Sequence, residues 1–172
     1  DVAWGGNWFF LTPDAPCPLD HAHVAELTVA GERVRAALVA AGITGAEGAE
    51  IDHVEFYGPA PGDASARNFV LCPGGAWDRS PCGTGSSAKI ACLAADGLLA
   101  PGAPWVQESV IGSRYLLRHE PGAGGGVVAT ITGRAFVTAE SLLCFDPADP
   151  YLHGFGGPGG SGDGAQAPDI GA

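Results

Sequence analysis

At 172 residues, with 46% hydrophobic and 16% charged residues, the chain has the composition of a compact globule rather than a disordered segment. Its net charge of −11, with only eight Lys and Arg, leaves too few cations to meet the phosphates of a nucleic acid, and no apolar run approaches membrane-spanning length. The five cysteines, at positions 17, 72, 82, 92 and 144, are odd in number and form no C-x-x-C pair, so neither a disulfide framework nor a zinc site is expected. With no secretory leader visible, the cytoplasm is the expected compartment.

Residues 1–12 alternate bulky and small side chains up to Thr12-Pro13-Asp14, which predicts a strand running into a loop, with Gly5-Gly6 permitting close backbone approach. From about Pro18 to Ala41 the period becomes helical, with Leu27, Ala30, Val34, Ala37, Leu38 and Ala41 on one stripe and Gly42 as the stop. Ile51 to Tyr57 alternates as a strand with one buried face, ended by Gly58-Pro59-Ala60-Pro61-Gly62. Asn68 to Cys72 reads as a short strand, Pro73-Gly74-Gly75 as a turn, and Ser86 to Leu98 as a helix rich in alanine and leucine. Four further strands are expected over Trp105–Ser109, Ser113–His119, Gly126–Arg134 and Ala135–Phe145, separated by glycine-rich turns. The end of the chain, 154–172, is Gly, Pro, Ser and Ala with scattered acids, and is expected to be a flexible tail.

The chemistry concentrates in Asp78-Arg79-Ser80-Pro81-Cys82-Gly83-Thr84-Gly85-Ser86-Ser87-Ala88, which delivers a cysteine to the mouth of a helix among glycines. Unpaired N–H groups at a helix start carry partial positive charge, so they lower the pKa of a nearby thiol and can also hold a carboxylate. Cys82 is therefore expected to be a reactive thiolate, the competing reading being a buried free thiol. Gly83 and Thr84 are candidate carboxylate donors, against ordinary helix capping. Asp78 is either a charge partner for a ligand cation or a turn-forming residue. Cys17, Cys72, Cys92 and Cys144 lie in apolar runs or beside proline and are read as inert thiols.

This segment resembles the second cysteine motif of the proline racemase family. Arg67-Asn68-Phe69-Val70-Leu71-Cys72-Pro73-Gly74-Gly75-Ala76-Trp77 before it and Gln107-Glu108-Ser109-Val110-Ile111-Gly112-Ser113 after it extend the likeness toward the 4-hydroxyproline 2-epimerase branch. The resemblance implies an α+β, diaminopimelate epimerase-like fold, a curved sheet around a central helix forming one of two pseudo-symmetric lobes. It divides the chain into a catalytic C-terminal lobe over 1–135, terminal strands over 136–153 that pack with an N-terminal lobe, and the glycine-rich tail. Relatives carry an earlier Met-Cys-Gly-His motif that has no counterpart here, and the chain contains no methionine; it thus resembles the second half of an enzyme.

The implied reaction is cofactor-independent epimerisation of trans-4-hydroxy-L-proline and cis-4-hydroxy-D-proline, in which two cysteines on opposite faces of the α carbon act as acid and base. Cys82 would be one of the pair, and a partner N-terminal lobe would supply the other. The resemblance further implies that Gly83 and Thr84 bind the substrate carboxylate, Asp78 the ring ammonium, and His53, on the strand at 51–57, the region of the ring hydroxyl. Homodimers are implied as well; no metal or other cofactor is. Proline racemase is the nearest alternative, and a noncatalytic half-enzyme that needs a partner chain is another. Trans-3-hydroxyproline dehydratases rank lower because they carry threonine where Cys82 stands.

Other readings fail on spacing. Lys89 is misplaced for a phosphate-binding loop after Gly83-Thr84-Gly85, and no G-x-S-x-G elbow occurs. The remaining histidines, His21, His23, His119 and His153, read as solvated, and His21 with His23 lacks a third ligand at metal-binding spacing.

Overall fold

The computed structural model describes residues 1–152 and 154. The chain divides into one unit spanning Asp1–Ala135 and a second that begins at Phe136. The first unit holds every strand and α-helix among the described residues: β1 (Val2–Trp4), β2 (Trp8–Thr12), α1 (Val24–Ala40), β3 (His53–Gly58), β4 (Ala66–Leu71), α2 (Gly83–Ala95), β5 (Trp105–Ser109), β6 (Arg114–Pro121) and β7 (Val127–Thr132).

The seven strands form one sheet in sequence order. Pairing is antiparallel except at β2–β3 and β4–β5, which are parallel. A parallel pair needs a long crossover; α1 supplies the first and α2 the second. Helix α2 touches β1 and β2 at one end of the sheet and β6 and β7 at the other, so the sheet curls around it, whereas α1 lies on β3 and β4.

The expected single strand over residues 1–12 is instead a hairpin that pairs Val2 with Phe10 and Trp4 with Trp8. The expected close approach at Gly5 is present: a Cβ there would stand 2.0 Å from the carbonyl oxygen of Thr84 and 2.6 Å from the amide nitrogen of Ala88. Strand β3 is buried on both faces, not one as its alternation suggested. Val54 and Phe56 join Leu27 of α1 with Phe69 and Leu71 in one apolar cluster. The alternate residues of β2–β4 face α2, where Phe9, Leu11 and Val70 pack with Cys82 and Ala88. The far end of α2 closes the core through Ile90, Leu93, Leu99 and Leu117.

Two other expectations are corrected. His119 is buried on β6, 3% exposed, with Nε2 2.9 Å from the carbonyl oxygen of Leu99. The expectation of a solvated histidine fails because the curl of the sheet encloses this one. In the second unit the expected strand over 135–145 is not formed; among the described residues from 136 onward there is no ladder pairing, and a strand without a ladder partner leaves its backbone groups unpaired. Turns there are fastened by aspartates, with Asp146 accepting from the amide of Ala148 at 2.9 Å and Asp149 from that of Tyr151 at 2.8 Å. His153 and the expected flexible tail, apart from Gly154, lie outside the described residues.

Glu108 on β5 ties three segments together while only 3% exposed. Its carboxylate accepts from Arg67 of β4, from Arg114 Nε of β6 at 2.6 Å, and Arg114 in turn reaches Asp63 at 2.7 Å. Burial works to raise the Glu108 pKa, but the hydrogen bonds and charges of Arg67 and Arg114 overcome it and hold the carboxyl below its ordinary range. Because the folded value is depressed, this stabilisation is complete above the unfolded pKa and is lost as pH falls through the folded one. Removing one partner leaves a buried charge under-compensated. We expect Arg67→Met to destabilise the unit by about 3 kcal/mol at pH 7 and by progressively less in acid, measured by urea denaturation across that pH range.

Candidate active site

Helix α2 begins where strand β4 has turned back on itself. After Leu71 the chain loops through Pro73–Gly75, where Gly74 and Gly75 adopt φ of 75° and 76°, and returns along β4 with Leu71 bridged to Trp77 and the Asp78 amide donating to the Val70 carbonyl at 3.1 Å. Ser109 Oγ of β5 donates to the Arg79 carbonyl at 2.7 Å. The loop is thus fixed to two strands before it reaches Cys82.

Cys82 is the N-cap of α2, with φ 64° and ψ 124°. A non-glycine residue at positive φ stores on the order of 1–3 kcal/mol of strain. Its thiol accepts from the Gly85 amide at 3.3 Å and lies 3.5 Å from Thr84 Oγ1. The amides of Gly83 and Thr84, the first two residues of the helix, have no intrahelical acceptor by the geometry of any helix start, and both residues retain solvent exposure while Cys82 is buried.

The expectation of a thiolate is not met. Burial among Phe9, Leu11, Val70 and Ala88 pushes the Cys82 thiol up to about 12, despite the opposing hydrogen bonds from Thr84 and the Gly85 amide, and Asp78 raises it further. Helix-terminal charge is real, but desolvation in an apolar nest outweighs it. Asp78 also raises Cys72, which burial drives to about 11; the aspartate therefore stands among sulfurs, half-buried, at the entrance to the loop.

His53 is placed on β3 facing α2. It is 8% exposed, its Nδ1 is 2.7 Å from Asp52 Oδ1, and its ring packs on Phe9 with centroids 4.6 Å apart. Phe9 also belongs to the cluster around Cys82, so one aromatic ring walls both candidates. Cys82, Gly83, Thr84 and Asp78 are brought together by one loop and helix start; His53 joins them through Phe9. His21 and His23 stay apart, the latter paired with Asp20 at 2.6 Å, and among the described residues no group of three His, Cys, Asp or Glu side chains is arranged to hold a metal ion. No helix among them is long and apolar enough to cross a membrane.

Two buried polar residues here carry no role in the sequence reading. Glu55, fully buried on β3, accepts from Asn68 Nδ2 at 3.1 Å, and its other oxygen lies 2.7 Å from where a Cβ on Gly85 would stand, which explains why that helix position is glycine. The available signal was a carboxylate between Val54 and Phe56 in a strand core, with an asparagine on the neighbouring strand two positions from its ladder partner Val70.

A model of the proline racemase family matches residues 1–156. The chain belongs to the proline racemase family. It is 61% identical over 155 residues to the 4-hydroxyproline 2-epimerase of Roseibium aggregatum, covering 90% of this chain and 50% of that protein. It is 59% identical over 157 residues to the enzyme of the same name from Xanthomonas campestris pv. campestris, covering 90% and 49%. Among solved structures, a hydroxyproline epimerase from Agrobacterium vitis with bound trans-4-hydroxy-L-proline matches with a TM-score of 0.72 at 29% identity, over 90% of this chain and 47% of that one. A probable proline racemase from Agrobacterium radiobacter with bound carbonate gives a TM-score of 0.72 at 30% identity. The curled sheet around α2 is accordingly the diaminopimelate epimerase-like α+β architecture that the sequence implied. The chain spans about half the length of the curated relatives it matches.

Two measurements probe the electrostatics. With the thiol held near 12, Cys82 should react with iodoacetamide at pH 8 at least about 100-fold more slowly than a free peptide thiol, and its rate should keep rising beyond pH 10; peptide mapping by mass spectrometry reads this directly. Burial raises the Glu55 carboxyl from 4.5 to about 7, against the lowering effects of the Asn68 hydrogen bond and the Lys89 charge. A raised folded pKa means the folded state holds its proton longer, so stability declines as pH rises from the unfolded value to the folded one. Glu55→Gln should therefore lose a decline in stability that the natural protein shows between about pH 4.5 and 7.

Proposed function

We propose that this chain supplies one half of the active site of a cofactor-independent 4-hydroxyproline 2-epimerase, with Cys82 as one of its two acid–base groups. The observation that carries the reading is the placement of the Cys82 sulfur beside the free-ended N–H groups of Gly83 and Thr84, within a chain about 60% identical to proteins named for that activity. A substrate carboxylate seated on those N–H groups satisfies the orphan donors of α2 and gains from its dipole. Asp78 pairs with the ring ammonium at the opposite end, and His53 faces the ring hydroxyl. This two-point grip sets the α carbon against Sγ.

The proton arithmetic then requires a base on each face. In the forward direction a thiolate on the far face removes the α proton as the Cys82 thiol delivers its own, which leaves inverted substrate, a far-side thiol and a Cys82 thiolate. Reverse turnover exchanges the roles. A resting Cys82 that is protonated suits the donor role; the Gly85 amide and Thr84 hydroxyl stabilise the thiolate it becomes. The far-side base comes from a second lobe, carrying the Met-Cys-Gly-His cysteine. The working assembly is a cytoplasmic homodimer of such two-lobed units. Enclosure between lobes also removes water, which a carbanion-like transition state needs.

Proton NMR in deuterated water, following trans-4-hydroxy-L-proline and L-proline side by side, tests this. We expect inversion with deuterium at the α carbon once the first half of a relative is supplied, preference for the hydroxylated substrate, and no inversion from these 172 residues alone. Cys82→Ser should reduce inversion by at least about 100-fold with the fold intact by circular dichroism, whereas Asp78→Ala should chiefly raise KM. Near-normal epimerisation by Cys82→Ser would overturn the assignment.

A further inference from the structure

Cys82 holds its positive φ because the peptide plane in front of it cannot turn. That plane contains the Pro81 carbonyl and the Cys82 amide, and both ends are gripped. The carbonyl accepts from Asn68 Nδ2 at 2.9 Å and from Ser86 Oγ at 3.2 Å, while the amide donates to Ser80 Oγ at 3.2 Å. On the other side of the Cys82 α carbon, its own carbonyl accepts from the Ser86 amide at 2.9 Å as the first bond of α2. Rotation about the N–Cα bond, the only way to relieve the strained dihedral, would break bonds on one side or the other.

The Asn68 amide can do this only in one orientation. Its nitrogen faces two oxygens, those of Pro81 and Glu55; turned over, the amide oxygen would confront both, and neither can donate to it when Glu55 is ionised. The Pro81 carbonyl, which can never donate, therefore sets the direction of the amide, and Glu55 reinforces it when ionised. The arrangement leaves Asn68 Oδ1 and Glu55 Oε2 buried without hydrogen-bond partners, a destabilising feature that an apolar pair of the same shape would avoid. A strand interior built for stability alone has no use for it.

We propose that Asn68, its amide nitrogen turned toward both Pro81 and Glu55, is a positioning residue that fixes Cys82 in its positive-φ conformation and aims the sulfur along the start of α2. The inference rests on the reading of Cys82 as an acid–base group for its purpose, but its geometry can be tested without turnover. Ser86 acts on the same carbonyl from within the helix and is the weaker partner of the clamp.

The test is the rate of Cys82 alkylation by iodoacetamide in the 172-residue chain, mapped by mass spectrometry, with Cys72 and Cys92 as internal standards and the thermal midpoint as control. Asn68→Ser shortens the donor beyond reach of Pro81 O; Ser86→Ala removes the second donor with little change of shape. Loss of a hydrogen bond that holds one conformer should raise Cys82 alkylation on the order of tenfold for Asn68→Ser and about threefold for Ser86→Ala, with the two reference cysteines unchanged. Equal acceleration of all three cysteines would mean a merely structural residue and would overturn the proposal, as would an unchanged Cys82 rate. Where Asn68→Ser fails to fold, Ser86→Ala decides by the same criterion. Epimerisation by Cys82→Ser would sink the acid–base reading and leave this clamp standing, so the two failures are distinguishable.

Discussion

The contact on which the rest depends is the approach of β1 to the first turn of α2. Gly5 lies so close to Thr84 and Ala88 that any side chain would enter helix backbone, and the same turn is pressed from below by Phe9 and Glu55 through Gly85. A helix can be swallowed by a curled sheet only if its surface there is small, which the run Gly83-Thr84-Gly85-Ser86 provides. The enclosure has two effects on one sulfur. It points the helix N-terminus at a single place, and it strips water from the thiol that caps it.

Interior electrostatics follow from the same enclosure. Lys89, one helical turn beyond Gly85, is buried with its ammonium 3.2 Å from the centre of the Tyr57 ring. Burial lowers its pKa, while the nearby Glu55 charge opposes that shift. Glu55 and Lys89 thus temper each other beneath the helix start. Glu108 solves the equivalent problem differently, with two arginines in direct contact. One carboxylate is made permanent and structural, and the other is left near the middle of its titration at neutral pH.

Much of this was legible because it is local. The Pro-Cys-Gly-Thr-Gly run specified a helix mouth, Gly5-Gly6 a close approach, and the alternation around Phe56 a strand. What escaped depends on residues distant in sequence. The second buried face of β3 arises because α2 arrives some thirty positions later to cover it. The helix terminus that favours a Cys82 thiolate is written beside it, whereas the apolar nest that outweighs it comes from β2 and β4. Asn68 sits in a motif noticed for its likeness, but that it meets the Pro81 carbonyl across a turn is a fact of three dimensions. His119 was hidden by the curl of the sheet in the same way.

The burial of Cys82 also governs what happens to the sulfur when no substrate is bound. Peroxides and disulfides react with thiolate, and progression to sulfenic and sulfinic acids begins from that form. A thiol held near 12 and only 5% exposed presents almost no thiolate at neutral pH. The Cys82 sulfur is thereby shielded from oxidation by its own desolvation.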